Sequence, residues 1–347
     1  MRSFDELCAV EPRLRQLERA IIEDTREFLH ASPYCANGFW YGPGPDSIGY
    51  RERLLRIVGS GEAFEIASRY LRGLLGDCDQ CGCPVRECVE NTRNQLMLIE
   101  TIQQLAQRAA DVICDLRRHP PDCKIPRSKI IAHRGAWDRQ NIENTMQAFE
   151  RARTLGAWAI ELDFRFTKDN VAVVHHDPDL KRCHRHPGVL RDMSFKDLRA
   201  NVPAVPALEE VLALKNLHFM LEVKTALSPD QITVLQRQFA KLEPIKDFHL
   251  LTLQPELVRP NSSMPQEAWI LVGDINLKSF ARISMERGLG GVVGHYLFMT
   301  NSLITQLHAR GQKAGSGFLP TRNLFNREWA RAVDWVFTNH LPALVKS

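Results

Sequence analysis

From residue 129 onward, short and nearly continuous apolar runs alternate with longer stretches whose apolar positions recur at helical spacing. The runs KIIA, AWAI and HFML are too uniformly apolar for a half-exposed strand and read as strands buried on both faces. Strands are predicted at 129–133, 158–163, 218–224, 248–253, 268–272, 291–294, 312–316 and 333–338, eight in all. Helices are predicted at 144–155, 206–214, 229–242, 255–259, 277–287, 301–310 and 326–332, with Gly156, Gly288 and Gly311 placed as C-terminal caps. Strands alternating with helices indicate a parallel α/β fold. One further run, Val171 to His175, follows the second strand after only TKDN. That link is too short for a parallel crossover, so an antiparallel hairpin is expected. Such a hairpin brings His176 to the end of the sheet where Glu161 and Asp163 lie.

The first part of the chain has a different pattern. Segments 13–28, 51–58, 62–75 and 85–117 carry helical periodicity, and Leu96, Ile99, Ile102, Leu105, Ala109 and Val112 belong to one apolar stripe. The stripe suits a small helical bundle, with a protein partner as the alternative. Between Tyr34 and Ile48, a segment rich in glycine, proline and aromatics, including Phe39, Trp40 and Tyr41, reads as a packed loop or a lid. His119-Pro120-Pro121 then ends the long helix, because proline lacks the amide hydrogen and disfavours helix in the residue before it. The expected organisation is a helical domain over 1–120, a linker over 121–128 and an α/β domain over 129–347.

A chain of 347 residues with 44% hydrophobic content supports more than one core. A net charge of +4, without a block of five or six like charges, gives no nucleic-acid footprint. The N-terminus lacks the layout of a secretion signal, and no window approaches 18 uncharged apolar residues, so no membrane span is expected and the cytoplasm is the default compartment. Six of nine cysteines fall between residues 78 and 123. Cys78, Cys81, Cys83 and Cys88 have a spacing compatible with Zn²⁺, with disulfides or with free thiols.

The candidate chemistry lies at predicted strand ends, where barrel enzymes keep it. Alternation along the second strand puts Glu161 and Asp163 on one side, and Glu222 ends the next strand. Adjacent carboxylates repel unless a cation neutralises them, and an oxygen-only donor set favours Mg²⁺ or Ca²⁺. His133 and His176 flank this group as acid and base. Arg134 and Lys224 are placed to bind phosphate oxygens. His295, ending the sixth strand, is a candidate substrate contact, whereas His184 and His186 in the loop after the hairpin are given no role.

The strings AHRG, ENT, QAFERARTLGA, IELDFRFTKDN, VVHHDPDL, VPALEEVL and LEVK closely resemble the glycerophosphodiester phosphodiesterase family. The resemblance is strong over 129–224, continues collinearly to Pro342 and leaves 1–120 unaddressed. It implies a TIM (β/α)8 barrel, here preceded by an all-helical N-terminal domain. It also implies His133 and His176 as the acid/base pair, Glu161, Asp163 and Glu222 as metal ligands, and Arg134 and Lys224 as phosphate contacts. Glu143 and Asn144 match the family's Glu-Asn pair close to the site. Two places depart from the pattern: Gly315-Ser316-Gly317-Phe318 stands where a Trp-Thr-x-Asn segment is usual, and Thr338-Asn339-His340-Leu341-Pro342 where Thr-Asp-x-Pro is usual. An aromatic wall is lost and an amide replaces a carboxylate, which alters the pocket for the alcohol. The expected reaction is cleavage of a small phosphodiester, with transfer to a second alcohol, or a non-catalytic barrel serving an interaction module, as alternatives.

Overall fold

The computed structural model describes residues 129–345, apart from 260–263, 274–275, 297, 318 and 320–321. The expected helical domain, its aromatic loop and its cysteine cluster lie outside the described residues.

Nine strands form the sheet: β1 (Ile130–His133), β2 (Ala159–Phe166), β3 (Ala172–Val174), β4 (His218–Val223), β5 (Phe248–Thr252), β6 (Trp269–Gly273), β7 (Gly291–His295), β8 (Lys313–Gly317) and β9 (Trp335–Thr338). All but β3 run parallel, and pairing of β1 with both β2 and β9 closes the eight into a barrel. Closure removes the unpaired edges of an open sheet. It also explains the apolar runs, since every residue of β1, β4, β5, β6, β7 and β9 is buried. The hairpin is present: β3 pairs antiparallel with the far end of β2, Phe164 opposite Val174 and Phe166 opposite Ala172.

The helices are α1 (Met146–Thr154), α2 (Lys181–His184), α3 (Phe195–Asn201), α4 (Leu208–Leu212), α5 (Pro229–Phe239), α6 (Leu277–Arg287), α7 (Asn301–His308), α8 (Arg322–Ala330) and α9 (Leu341–Val345). Their starts follow local chemistry. Thr145, Ser228 and Thr300 each accept a hydrogen bond from an amide three residues on, satisfying a donor that the helix cannot. Gly156, Gly288 and Gly311 adopt φ of +81°, +65° and +71°, as expected for helix ends.

Two regions differ from the expectation. The helix at 255–259 is only a 3₁₀ turn, Pro255–Leu257, after which Val258 is extended. Pro255 and Pro260 bracket a segment too short for a stable α-helix, and the second proline biases its predecessor away from helical geometry. The segment between β3 and β4 holds two helices that periodicity did not show, α2 and α3. There Leu180, Leu190, Leu198, Val202 and Val205 pack with Val173 of β3 into a small separate core. This core holds the hairpin, and with it His176, against the barrel.

Candidate active site

At the end of β1 the backbone turns sharply. Arg134 and Asn144 have φ of +58° and +56°, a left-handed conformation that is unfavourable for a side chain as large as arginine. Hydrogen bonds hold it. The Arg134 amide donates to the Glu161 carbonyl at 2.9 Å and to Glu161 Oε2 at 3.0 Å, and the Asn144 amide donates to the Arg134 carbonyl at 3.0 Å. Gly135 has φ of +84°, and a Cβ there would sit 2.9 Å from Ala148, so only glycine lets the loop return against α1. Backbone strain of this kind is concentrated at functional sites.

Glu161, Asp163 and Glu222 converge as predicted: their nearest carboxylate oxygens all lie within 4.8 Å of one another, and all three side chains are buried. Strand register accounts for this, since Asp163 lies directly opposite Glu222 and Glu161 opposite His133. Two cations are threaded between the acids. Lys224 Nζ lies 2.9 Å from Asp163 Oδ1 and 2.6 Å from Glu222 Oε1, and Arg134 Nε lies 3.3 Å from Asp163 Oδ2. Asn144 donates its amide to Asp163 Oδ2 at 2.8 Å. The cluster brings together all three expected metal ligands.

His133 is buried, and its Nδ1 lies 2.6 Å from Asn339 Oδ1. An amide oxygen only accepts, so Nδ1 carries the hydrogen and Nε2, 3.8 Å from Glu161 Oε2, presents a lone pair. His176 is half-buried and donates from Nδ1 to Asp177 Oδ1 at 2.7 Å. It is positioned through the hairpin: the His175 amide donates to the Asp163 carbonyl at 2.9 Å, and Arg165 Nε donates to the His176 carbonyl at 2.7 Å.

Arg182, which carried no signal in the sequence, links the two histidine-bearing arms. Its Nε lies 2.6 Å from Asp177 Oδ2 and its Nη2 2.6 Å from Glu143 Oε1, and Arg134 Nη1 reaches the same Glu143 oxygen at 2.9 Å. A continuous chain of opposite charges therefore runs from Asp177 through Arg182, Glu143 and Arg134 to Asp163. His295 lies at the same end of the barrel, at the close of β7, with its ring stacked on Tyr296 at 4.3 Å between centroids. His184, which ends α2, has its ring 5.5 Å from that of His175.

The electrostatics follow from burial and crowding. Burial, together with the charges of Asp163 and Glu222, pushes the Glu161 carboxyl well above the usual range. Burial and Asp163 push Glu222 up to about 7. Lys224 and Arg134 overcome the burial of Asp163 and hold it well below the usual range. The arginines likewise hold Glu143 down to about 2. Burial lowers His133 to about 3 and lowers His176 as well, its fall opposed by Asp177. Crowding thus disfavours the charged forms of Glu161 and Glu222 when no further cation is present. This donor set fits a divalent cation, because such an ion neutralises what Lys224 and Arg134 leave uncompensated.

Residues 133–249 match the family model described as the glycerophosphoryl diester phosphodiesterase family. A glycerophosphodiester phosphodiesterase of Bacillus altitudinis is 36% identical over 110 residues, which are 28% of this chain and 44% of that protein. A lysophospholipase D of Homo sapiens is 51% identical over 71 residues, 20% of this chain and 22% of that one. The chain spans about half the length of the curated relatives it matches, 54%, 44% and 46% for three of them. Among solved structures, a phosphodiesterase of Oleispira antarctica in complex with the product sn-glycerol-3-phosphate shares the fold. Its TM-score is 0.51 at 18% identity, over 64% of this chain and 98% of that one.

Proposed function

We propose, from the premise that the barrel belongs over residues 133–249 to the glycerophosphoryl diester phosphodiesterase family, that it hydrolyses a small glycerophosphodiester to an alcohol and a phosphomonoester. The observation that carries this reading is the cluster of three buried carboxylates within 4.8 Å, with His133 Nε2 3.8 Å from Glu161 and Arg134 and Lys224 paired to Asp163. A hard divalent cation, Mg²⁺ or Ca²⁺, held by Glu161, Asp163 and Glu222 supplies neutralisation of the phosphate charge.

The different surroundings of the two histidines support different tasks. His133 is buried and hydrogen-bonded through Nδ1 to a neutral amide, so its Nε2 carries no hydrogen and serves as the base that takes a proton from the attacking water. His176 is more accessible and bonded to a carboxylate, which stabilises the imidazolium form. It is the acid that protonates the departing alkoxide as the ester P–O bond breaks. Arg134 and Lys224 meet the non-bridging oxygens and offset the charge that grows in the transition state. Glu143 and Asn144 hold Arg134 and Asp163 in place. His295 contributes to the wall around the leaving alcohol.

The test is turnover of chelated protein on a panel of glycerophosphodiesters, lysophospholipids and sugar phosphodiesters, with Mg²⁺ or Ca²⁺ restored. A phosphomonoester and free alcohol, formed only with cation present, are expected. Absence of cleavage across the panel refutes the reading, and a new diester formed with a competing alcohol identifies transfer instead of hydrolysis.

A further inference from the structure

The opposite end of the barrel holds a cavity of about 670 Å³, lined by residues that include Trp158, His249, Arg310, Gln312, Lys313 and Trp335. That end of a barrel ordinarily serves stability. Here its wall contains a hydrogen-bond relay whose direction follows from valence. His218 Nδ1 lies 3.0 Å from the Lys246 carbonyl, and His218 Nε2 lies 2.8 Å from His249 Nδ1. The carbonyl only accepts, so His218 carries its hydrogen on Nδ1 and accepts at Nε2 from His249 Nδ1–H. Neutral His249 is then left with a bare lone pair on Nε2. Burial keeps both rings neutral, lowering His218 to about 4 and His249 to about 3. Both rings are clamped, His218 stacked on Trp158 at 4.5 Å and His249 packed edge-on to Trp335 at 5.0 Å.

His249 is only 5% exposed, and no described residue donates to its Nε2. Gln312, on the same cavity, uses its amide hydrogens on the carbonyls of Leu289 at 2.6 Å and Ser284 at 2.8 Å, and its buried Oε1 has no partner among the described residues. The wall therefore offers the acceptors His249 Nε2 and Gln312 Oε1 beside the indole N–H groups of Trp158 and Trp335. Arg310 and Lys313 are exposed cations lining the same cavity, and Arg310 makes no ion pair among the described residues. Lys313 shares its charge with Asp334 at 3.0 Å, and the one described carboxylate on the cavity, Glu267, is exposed. An occupant has to bring hydroxyl donors to the buried wall and negative charge to the two cations. A free cation meets repulsion from Arg310 and Lys313, and an apolar ligand leaves the acceptors unpaired.

We infer that this cavity binds a small polyol phosphomonoester, with a hydroxyl donating to His249 Nε2 and the phosphate meeting Arg310 and Lys313. The cavity is large enough to admit a ligand of that size. The site is separate from the acidic cluster. His218 and Glu222 share a face of β4 four residues apart, about 13 Å at roughly 3.3 Å per residue, too far for one such ligand to reach both.

The experiment titrates the full chain, without divalent cation, with glycerol 3-phosphate, inorganic phosphate and glycerol by calorimetry. In parallel, the Nε2 resonance of His249 is followed in histidine-labelled protein. Glycerol 3-phosphate is expected to bind, to shift that resonance, and to lose at least about tenfold in affinity in Arg310→Ala and His249→Phe while retaining affinity in Lys224→Ala, which weakens only the acidic end. Arg310 is an exposed side chain, so its variant keeps the test decisive even where His249→Phe does not fold. Binding that disappears in Lys224→Ala, or that ignores Arg310→Ala, overturns the inference. Inorganic phosphate binding as tightly as glycerol 3-phosphate overturns the hydroxyl contact and with it the polyol assignment.

Discussion

Strand β4 begins at His218 and ends beside Glu222, with Lys224 just beyond, and the two mouths of the barrel differ as these residues do. At the acidic end, three buried carboxylates, Glu143, Asp163 and Glu222, are joined to three cations by direct ion pairs, and Glu161 lies beside them. At the other end, two neutral imidazoles are wedged among tryptophans, and hydrogen-bond direction substitutes for charge. Both ends bury polar groups, but only the first concentrates like charges that repel. The comparison teaches that burial of titratable side chains does not by itself distinguish the acidic mouth. Uncompensated charge, backbone strain at Arg134 and convergence from several strand ends mark it together.

The comparison is broken most directly by substitution at each end. His133→Ala or Glu161→Ala is expected to lower kcat by roughly 10²–10⁴-fold with an unchanged circular dichroism spectrum, whereas His249→Phe leaves kcat as it was. Comparable losses from both ends refute the division of labour. Trp335→Ala removes a buried aromatic from the other end and is expected to lower unfolding free energy by about 3–5 kcal/mol in urea titration, again without a change in kcat for the folded fraction.

Arg182→Ala cuts the link between Glu143 and Asp177 and is expected to reduce kcat/KM by about 10–100-fold, the range for partners that orient a site from outside it. An unchanged kcat/KM shows that the hairpin positions His176 unaided. Glu222 sharpens the contrast through pH. Its folded value, about 7, lies above the usual carboxylate value of 4.5, so the folded chain holds an extra proton between the two. Without cation, stability from this group therefore falls as pH rises from about 4.5 through 7. Melting temperatures of chelated protein show that slope, Glu222→Gln removes it, and added Mg²⁺ or Ca²⁺ offsets it. The smallest effect is expected from Asn339→Asp: a carboxylate facing His133 Nδ1 raises the histidine from about 3 and moves the acidic limb of the pH–rate profile upward.

Much of the acidic end was legible before any coordinates. Glu161 and Asp163 alternate on one strand, Glu222 and Lys224 on another, and TKDN forces the hairpin that delivers His176. The partners of these groups were not. Asn339 stands 206 residues from His133, and its role comes from the closing contact between β1 and β9, which no local pattern encodes. Arg182 lies in a short helix without periodicity, held by a small core whose residues are scattered over more than thirty positions. The 3₁₀ turn after β5 was written in its flanking prolines but masked by an apparently helical run of polar and apolar residues.

The amino-acid order alone determined the eight buried strands, the hairpin and which side chains sit at strand ends, because a period of two and an apolar run are properties of neighbouring residues. Only the tertiary structure decided the register in which the strands meet around the ring, which oxygens meet which cations, and that His218 donates to Lys246 and accepts from His249. Those facts depend on register between strands far apart in the chain. A shift of one residue would turn every such side chain to the other face.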